Sequence, residues 1–244
     1  MVRIFVDTLS PNQYISETEL ATCVKLVKAF NFSVIWISNL SNHLFDQIKK
    51  KNQTKNFLIY PRLDLGAKQE KKEDIIFLLR QNRREYPVIG IECLTPDIAA
   101  WAAQDNRVDI LKFPVLQFNR LFSLSVANLM LKFNKSLEVP LSTLYTSSER
   151  VHIPLIRETR LALARAVKKG IPIIFSSSSS KVRDQRNPLE LAALGQILCL
   201  DSQKALDGVS TIPNTLLEGN LKKIDPNYIM PGVFRLNFDQ NEEE

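Results

Sequence analysis

The sequence predicts an α/β fold of the TIM-barrel-like (β/α) type, irregular or incomplete at its eighth unit. Three observations predict it. Short apolar runs alternate with amphipathic stretches, seven times along the chain. The repeat is roughly 20–35 residues, enough for a strand, a crossover helix and two loops, which implies parallel strands. The 244 residues include only seven glycines and neither a GxGxxG nor a Walker A pattern, whereas an open doubly wound sheet commonly carries such a phosphate loop. Seven or eight units at this length fit a barrel.

The expected strands are 3–9, 33–38, 56–64, 88–94, 108–113, 137–141 and 171–176. Most are short, apolar and bounded by turn residues or charge, as strands covered on both faces are. The helix at 16–30 opens on Ser16-Glu17-Thr18-Glu19, a capping-box pattern. The helix at 42–52 carries Leu44, Phe45 and Ile48 on one side and ends in Lys49-Lys50-Lys51, where cations complement the dipole. That at 71–86 buries Ile75, Leu78 and Leu79, and that at 95–104 starts with Thr95-Pro96-Asp97, an N-cap followed by proline in the first turn. Helices at 116–133, 149–169 and 188–200 complete the pattern. In the eighth unit, 201–206 reads as a short helix capped by Asp201 or Ser202, and 209–212 as a residual strand. Residues 1–224 are expected to form one domain. Residues 225–244, with Pro226, Pro231, Gly232 and a closing Glu242-Glu243-Glu244, read as a C-terminal tail that is partly mobile.

With 45% hydrophobic and 24% charged residues, the chain can bury a substantial core and does not read as disordered. Charge or proline breaks the longest apolar runs within about a dozen residues, short of a membrane span. The N-terminus reaches Asp7 too early for a secretory signal. A soluble, cytoplasmic protein with no membrane partner is therefore expected. Cys23, Cys93 and Cys199 show no CxxC spacing and read as buried free thiols, and His43 and His152 lie too far apart in sequence to suggest a zinc site. The net charge of +6 and pI near 9.2 favour an anionic partner, most commonly nucleic acid. Aromatic residues do not interleave with basic ones as on single-strand stacking platforms, which favours contact with RNA backbone and shape. Trp36 and Trp101 read as core.

In a barrel the functional face lies at the C-terminal strand ends. Asp7, Asp64, Glu92 and Lys112 fall there. One alternative is thus a stand-alone metal-dependent hydrolase using Asp7, Asp64 and Glu92, although the histidines that typically complete such sites are missing, and no GxSxG elbow exists for a serine triad. The serine run at 176–180 is the most unusual local feature. It follows an apolar strand and precedes Lys181-Val182-Arg183-Asp184-Gln185-Arg186 and a helix opened by Asn187-Pro188. Hydroxyls and free backbone N–H groups near a helix N-terminus make an anion site, so Ser176, Ser177 and Ser178 are candidate phosphate contacts. In the helix at 149–169, Arg150, Arg157, Arg165 and Lys168 fall on one side and Ile156, Leu163, Ala166 and Val167 on the other.

The segment from Pro172 to Leu217 resembles the ribonuclease P protein component 3 family of archaea and eukaryotes. The matching pattern is Ile173-Ile174-Phe175-Ser176-Ser177, then Arg186-Asn187-Pro188-Leu189-Glu190-Leu191, then Leu194-Gly195, followed by Asp201-Ser202-Gln203-Lys204-Ala205-Leu206 and Val209-Ser210. Val108-Asp109-Ile110-Leu111-Lys112-Phe113-Pro114, Ala127-Asn128-Leu129-Met130 and Glu149-Arg150 extend the likeness more weakly. The chain departs from the family at Val139-Pro140, where Arg-Pro is common, and in its plain serine turn. The resemblance implies a TIM-barrel-like subunit of ribonuclease P, working with component 2 and, through the complex, on precursor tRNA. It implies that the RNA performs the cleavage with magnesium ions, and that the protein, with no catalytic or metal-ligating residue and no cofactor of its own, binds and stabilises that RNA. The RNA contacts expected on this reading are Arg186, which matches the family's Arg-x-Pro, then Lys181, Arg183 and Lys204, then Arg150 and Lys112.

Overall fold

The computed structural model describes residues 3–11, 15–67, 71–198, 200–230 and 233–235. Seven strands, β1 (Val6–Leu9), β2 (Val34–Ser38), β3 (Leu58–Leu65), β4 (Val88–Glu92), β5 (Ile110–Lys112), β6 (Ser136–Pro140) and β7 (Ile173–Ser176), form one sheet in chain order. Every neighbouring pair is parallel. The crossovers are α1 (Glu17–Ala29), α2 (Asn42–Asn52), α3 (Lys72–Asn82), α4 (Pro96–Gln104), α5 (Phe118–Leu121) with α6 (Leu124–Lys132), and α7 (Ser142–Thr146) with α8 (Glu149–Lys169). Local chemistry starts several of them as expected. Ser16 and Glu19 form the capping box of α1, and Thr95 caps α4 with Pro96 at its first position.

The pleat separates two cores. Ile35 and Ile37 face outward to the helices, as do Ile89, Ile91 and Phe175. Val34 and Trp36 face the barrel interior with Val6, Val88, Ile110 and Ile174. Trp101 packs half-buried on the outer core. Cys23 and Cys93 are buried free thiols, and Cys199 lies outside the described residues.

The barrel is nearly closed, with an unsealed seam between β7 and β1. Among the described residues the backbones there share one bridge, Leu9 with Ser179, with a hydrogen bond of 3.1 Å from the Ser10 N–H to the Ser179 carbonyl. The residual strand expected at 209–212 does not form. Instead α9 (Pro188–Ile197), α10 (Ser202–Gly208) and α11 (Thr211–Ile224) follow β7, and Val209 offers one carbonyl to the Val6 N–H at 3.0 Å. The reason is periodicity: Ile212, Leu216, Leu217 and Leu221 recur at helical spacing and share one face. That face packs against the interior residues and plugs the N-terminal end of the barrel. Asp201 does cap α10, accepting from the Lys204 N–H at 2.8 Å. Gly195 and Gly208 let α9 and α10 close on β7, since a methyl at either would sit 2.8 Å from the Phe175 ring.

The single helix expected at 116–133 is broken. A 3-10 turn at Val115–Gln117 and α5 precede α6, and Ser123 restarts the helix by accepting from the Val126 N–H. The break seats Phe118 and Phe122 beside Phe113, with ring centroids 5.6–6.0 Å apart. In the segment read as a tail, β8 (Tyr228–Met230) and β9 (Val233–Phe234) form a small antiparallel hairpin, while 236–244 lie outside the described residues. No helix among the described residues is long and apolar enough to cross a membrane.

Candidate nucleic-acid interface and the barrel mouth

Inward-facing positions near the C-terminal strand ends carry charge instead of hydrocarbon. Arg62 of β3 is fully buried. Its Nη1 donates to Thr8 Oγ1 and to Glu138 Oε1, both at 3.1 Å, and its Nε and Nη2 donate to Asp64 Oδ1 at 3.1 and 2.9 Å. Nη2 also pairs with the second oxygen of Glu138. The guanidinium lies 5.6 Å from the Trp36 ring centroid. Lys112 Nζ completes the group 3.0 Å from Asp64 Oδ2, and Glu138 accepts from the Ser176 hydroxyl at 2.6 Å. Burial works against the Asp64 carboxylate, yet Arg62 and Lys112 hold its pKa down at about 2.

Gly90 makes room for this cluster. A Cβ there would lie 2.3 Å from Asp64 Oδ1 and 2.9 Å from Arg62 Nη2. Gly90→Ala is therefore expected to cost about 1–3 kcal/mol by overpacking a site that cannot relax, measured as a fall in the urea midpoint. A midpoint within error of the wild type would show that the cluster yields freely. Sequence reading missed Arg62 and Glu138. The signal was there: a charged residue in mid-strand, at Tyr60-Pro61-Arg62 and Leu137-Glu138-Val139, has to be buried against a partner.

The hydrolase alternative loses two of its three ligands to other contacts, and the third, Glu92, is half-buried at the end of β4. Asp64 is held by Arg62 and Lys112, and Asp7 points into the seam, where it accepts from the Ser177 N–H at 2.7 Å and the Ser177 hydroxyl at 2.6 Å. Among the described residues, no three of His, Cys, Asp and Glu converge to hold a metal ion. Burial raises the Asp7 pKa to about 7, against the lowering effect of the Ser177 donors.

The serine run thus lines the seam. Ser176 and Ser177 are buried and donate to Glu138 and Asp7, so their hydroxyls face inward and not toward a surface phosphate. Ser178 is half-buried, with φ of 45° and its Oγ 2.9 Å from that of Ser176.

Beyond the serines, a 3-10 turn at Val182–Asp184 exposes Lys181 and Arg183. Arg186 is half-buried, its guanidinium stacked 4.5 Å from the Tyr145 ring centroid while Nη1 donates to the carbonyls of Arg183 and Gln185. The Tyr145 hydroxyl donates to the Asp184 carbonyl, fastening this loop to α7. Asn187 and Glu190 form the capping box that starts α9, with Pro188 in its first turn. Arg150 is exposed in the first turn of α8, which His152 ties to the Leu144 carbonyl of α7. Four of the six expected cations, Lys181, Arg183, Arg186 and Arg150, therefore share the rim above β6 and β7. Lys112 lies inside the mouth with 15% of its side chain exposed, paired with Asp64. Lys204 stands apart on α10, toward the opposite end of the barrel, with its Nζ 2.7 Å from Asp201. Arg165 does not join a surface stripe; it tethers Asn119 and the Phe122 carbonyl.

A family model described as RNase P subunit p30 matches residues 7–225. Ribonuclease P protein component 3 of Methanosarcina acetivorans is 24% identical over 210 residues, 86% of each chain. That of Methanococcoides burtonii is 24% identical over 212 residues, covering 86% of this chain and 85% of the relative. Among solved structures, a chain of an archaeal ribonuclease P seen by cryo-EM with mature tRNA superposes with a TM-score of 0.80 at 17% identity, covering 98% of this chain and all of the other. A crystal structure of an uncharacterised protein gives 0.56 at 10% identity, covering 90% of this chain and 75% of the other. These likenesses establish the shared fold.

Proposed function

Because the chain belongs to the RNase P subunit p30 family, we propose that it is a non-catalytic protein component of ribonuclease P. In this role it supports RNA-catalysed endonucleolytic removal of the 5′ leader from precursor tRNA by binding and stabilising the catalytic RNA. The observation that carries the reading is the filled barrel mouth. Where an enzyme of this fold opens a pocket, Arg62, Asp64, Lys112 and Glu138 neutralise one another in a buried cluster. The exposed chemistry is cationic and lies on the rim beside it.

Rim cations neutralise RNA phosphates and release counterions, which lets a folded RNA core persist with less magnesium. Arg186 is the leading contact. Stacking on Tyr145 and two carbonyl bonds hold its fork in one orientation before RNA arrives, so little side-chain entropy is lost on binding. Lys181, Arg183 and Arg150 follow, with Ser178 beside them, and Lys204 and Lys112 are secondary. The magnesium ions belong to the RNA, the protein holds no cofactor, component 2 is its protein neighbour, and the complex works in the cytoplasm.

Charge reversal tests this. In a complex reconstituted from the RNA and its protein subunits, Arg186→Glu is expected to slow precursor tRNA cleavage about tenfold at limiting magnesium, with recovery as magnesium rises, and to lower the salt slope of RNA binding by about one. The variant should remain folded by circular dichroism, its melting temperature lowered by only about 2–4 °C for the lost Tyr145 stacking and carbonyl bonds. A wild-type rate and slope would remove Arg186 from the interface.

A further inference from the structure

A second cationic site lies at the other end of the barrel. A cavity of about 500 Å³ opens between the C-terminal ends of α3 and α11 and the turn before β5, lined by Arg83, Arg84, Arg107 and Lys223 and by one carboxylate, Asp225, which accepts from the Asn227 N–H at 2.8 Å. We infer that this cavity takes a phosphodiester group of the RNA backbone, so that the barrel grips RNA at both ends; the inference rests on the RNA-binding reading above.

Two of the cations are fixed and two are not. Arg83 uses Nη1 on the Tyr86 carbonyl at 3.0 Å and Nη2 on Asp109 at 3.2 Å, and Arg107 chelates Asp105 through Nε and Nη2 at 2.9 and 2.6 Å. Both retain further N–H donors. Lys223 reaches only the Asn220 side-chain oxygen, at 3.1 Å, and Arg84 has no hydrogen bond or ion pair among the described residues. Neither Arg84 nor Lys223 pairs with a carboxylate among the described residues, and both are exposed. Beneath them Lys135 is buried, with its Nζ on the carbonyls of Asp105 and Val108, and adds positive potential. Cations near helix C-termini offset the carbonyl charge there. That role asks for neither a concavity nor unused donors, and this site has both. Fixed guanidinium forks at the back and free cations at the entrance suit an anion that arrives attached to a larger body.

The test uses the full chain with Arg84→Glu, Lys223→Glu and both together, read by RNA mobility shift across a salt series and by nuclease footprinting of the bound RNA. The double variant is expected to bind about tenfold more weakly, to lose one to two from the salt slope, and to lose protection over an RNA segment different from the one lost in Arg186→Glu. Wild-type affinity, slope and footprint in the double variant, with Arg186→Glu still impaired, would overturn this site alone. Failure of the wild-type chain to bind RNA would overturn it together with the proposed function. Inorganic phosphate is the second probe. If it saturates the Arg84 and Lys223 side-chain resonances at concentrations that leave RNA binding unchanged, the cavity serves free phosphate and the RNA assignment fails.

Discussion

Glu138→Ala is expected to lower folding stability by about 3–5 kcal/mol, because it leaves a buried guanidinium with half its counter-charge. Arg62 and Glu138 are both fully buried, and the Glu138 carboxylate receives both Nη groups of Arg62 as well as the Ser176 hydroxyl. Asp64 would remain, but it is shared with Lys112. The loss comes from the stranded partner and not from the pair's net worth, since two charges removed from water regain in mutual attraction roughly what desolvation costs. A second variant separates these terms. Arg62→Met with Glu138→Leu replaces the pair by hydrocarbon of similar volume, and should recover most of the lost stability in urea denaturation. If Glu138→Ala unfolds at the wild-type midpoint, the mouth cluster does not hold the barrel together.

Stability should also fall as pH rises from about 4 through 7, by up to about 4 kcal/mol from Asp7 alone. The sign follows from where the proton is held more tightly. Burial raises the folded-state pKa of Asp7 from 3.8 to about 7, so between these values the folded chain keeps a proton that the unfolded chain has released. Well below pH 4 both states are protonated and the group makes no difference. Above pH 7 both are ionised, and the folded state bears the cost of a buried carboxylate. Asp7→Asn keeps an acceptor for the Ser177 N–H and removes the titration. The wild-type stability minus that of Asp7→Asn should therefore decline steadily over this window in denaturant melts taken at a series of pH values. A difference that stays flat from pH 4 to 8 would show that Asp7 titrates as in water.

Both predictions concern residues whose roles were only partly legible in the chain. Asp7 was placed at a strand end by its position after an apolar run, and the serine run drew attention by its composition. What joins them was not legible. Ser177 and Asp7 stand 170 residues apart in sequence, and Arg62 and Glu138 stand 76 apart. The run at 176–180 reads as a phosphate loop while its surroundings are assumed to be solvent. Once β7 returns to β1, the same hydroxyls face buried carboxylates. The basic residues that follow were legible as a cluster, because Lys181, Arg183 and Arg186 lie within six residues and immediately precede a helix whose Asn187-Pro188 start is itself local. Arg84 and Lys223 could not be read as neighbours, because one follows the crossover helix α3 and the other lies in the C-terminal helix α11, and the two meet only at the foot of the barrel.

The sequence by itself determined the strand and helix alternation, the helix starts at Ser16, Thr95 and Asn187, the parallel order of seven strands and the excess of positive charge. Each of these depends on residues within a few positions of one another or on simple sums. Only the tertiary structure decided that the eighth unit is a helical plug, that the mouth is filled by paired charges, and which serines are buried. The physical reason is that burial and counter-charge are properties of closure: a side chain acquires its dielectric and its partners when distant strands meet, and until then the same residue has no fixed role.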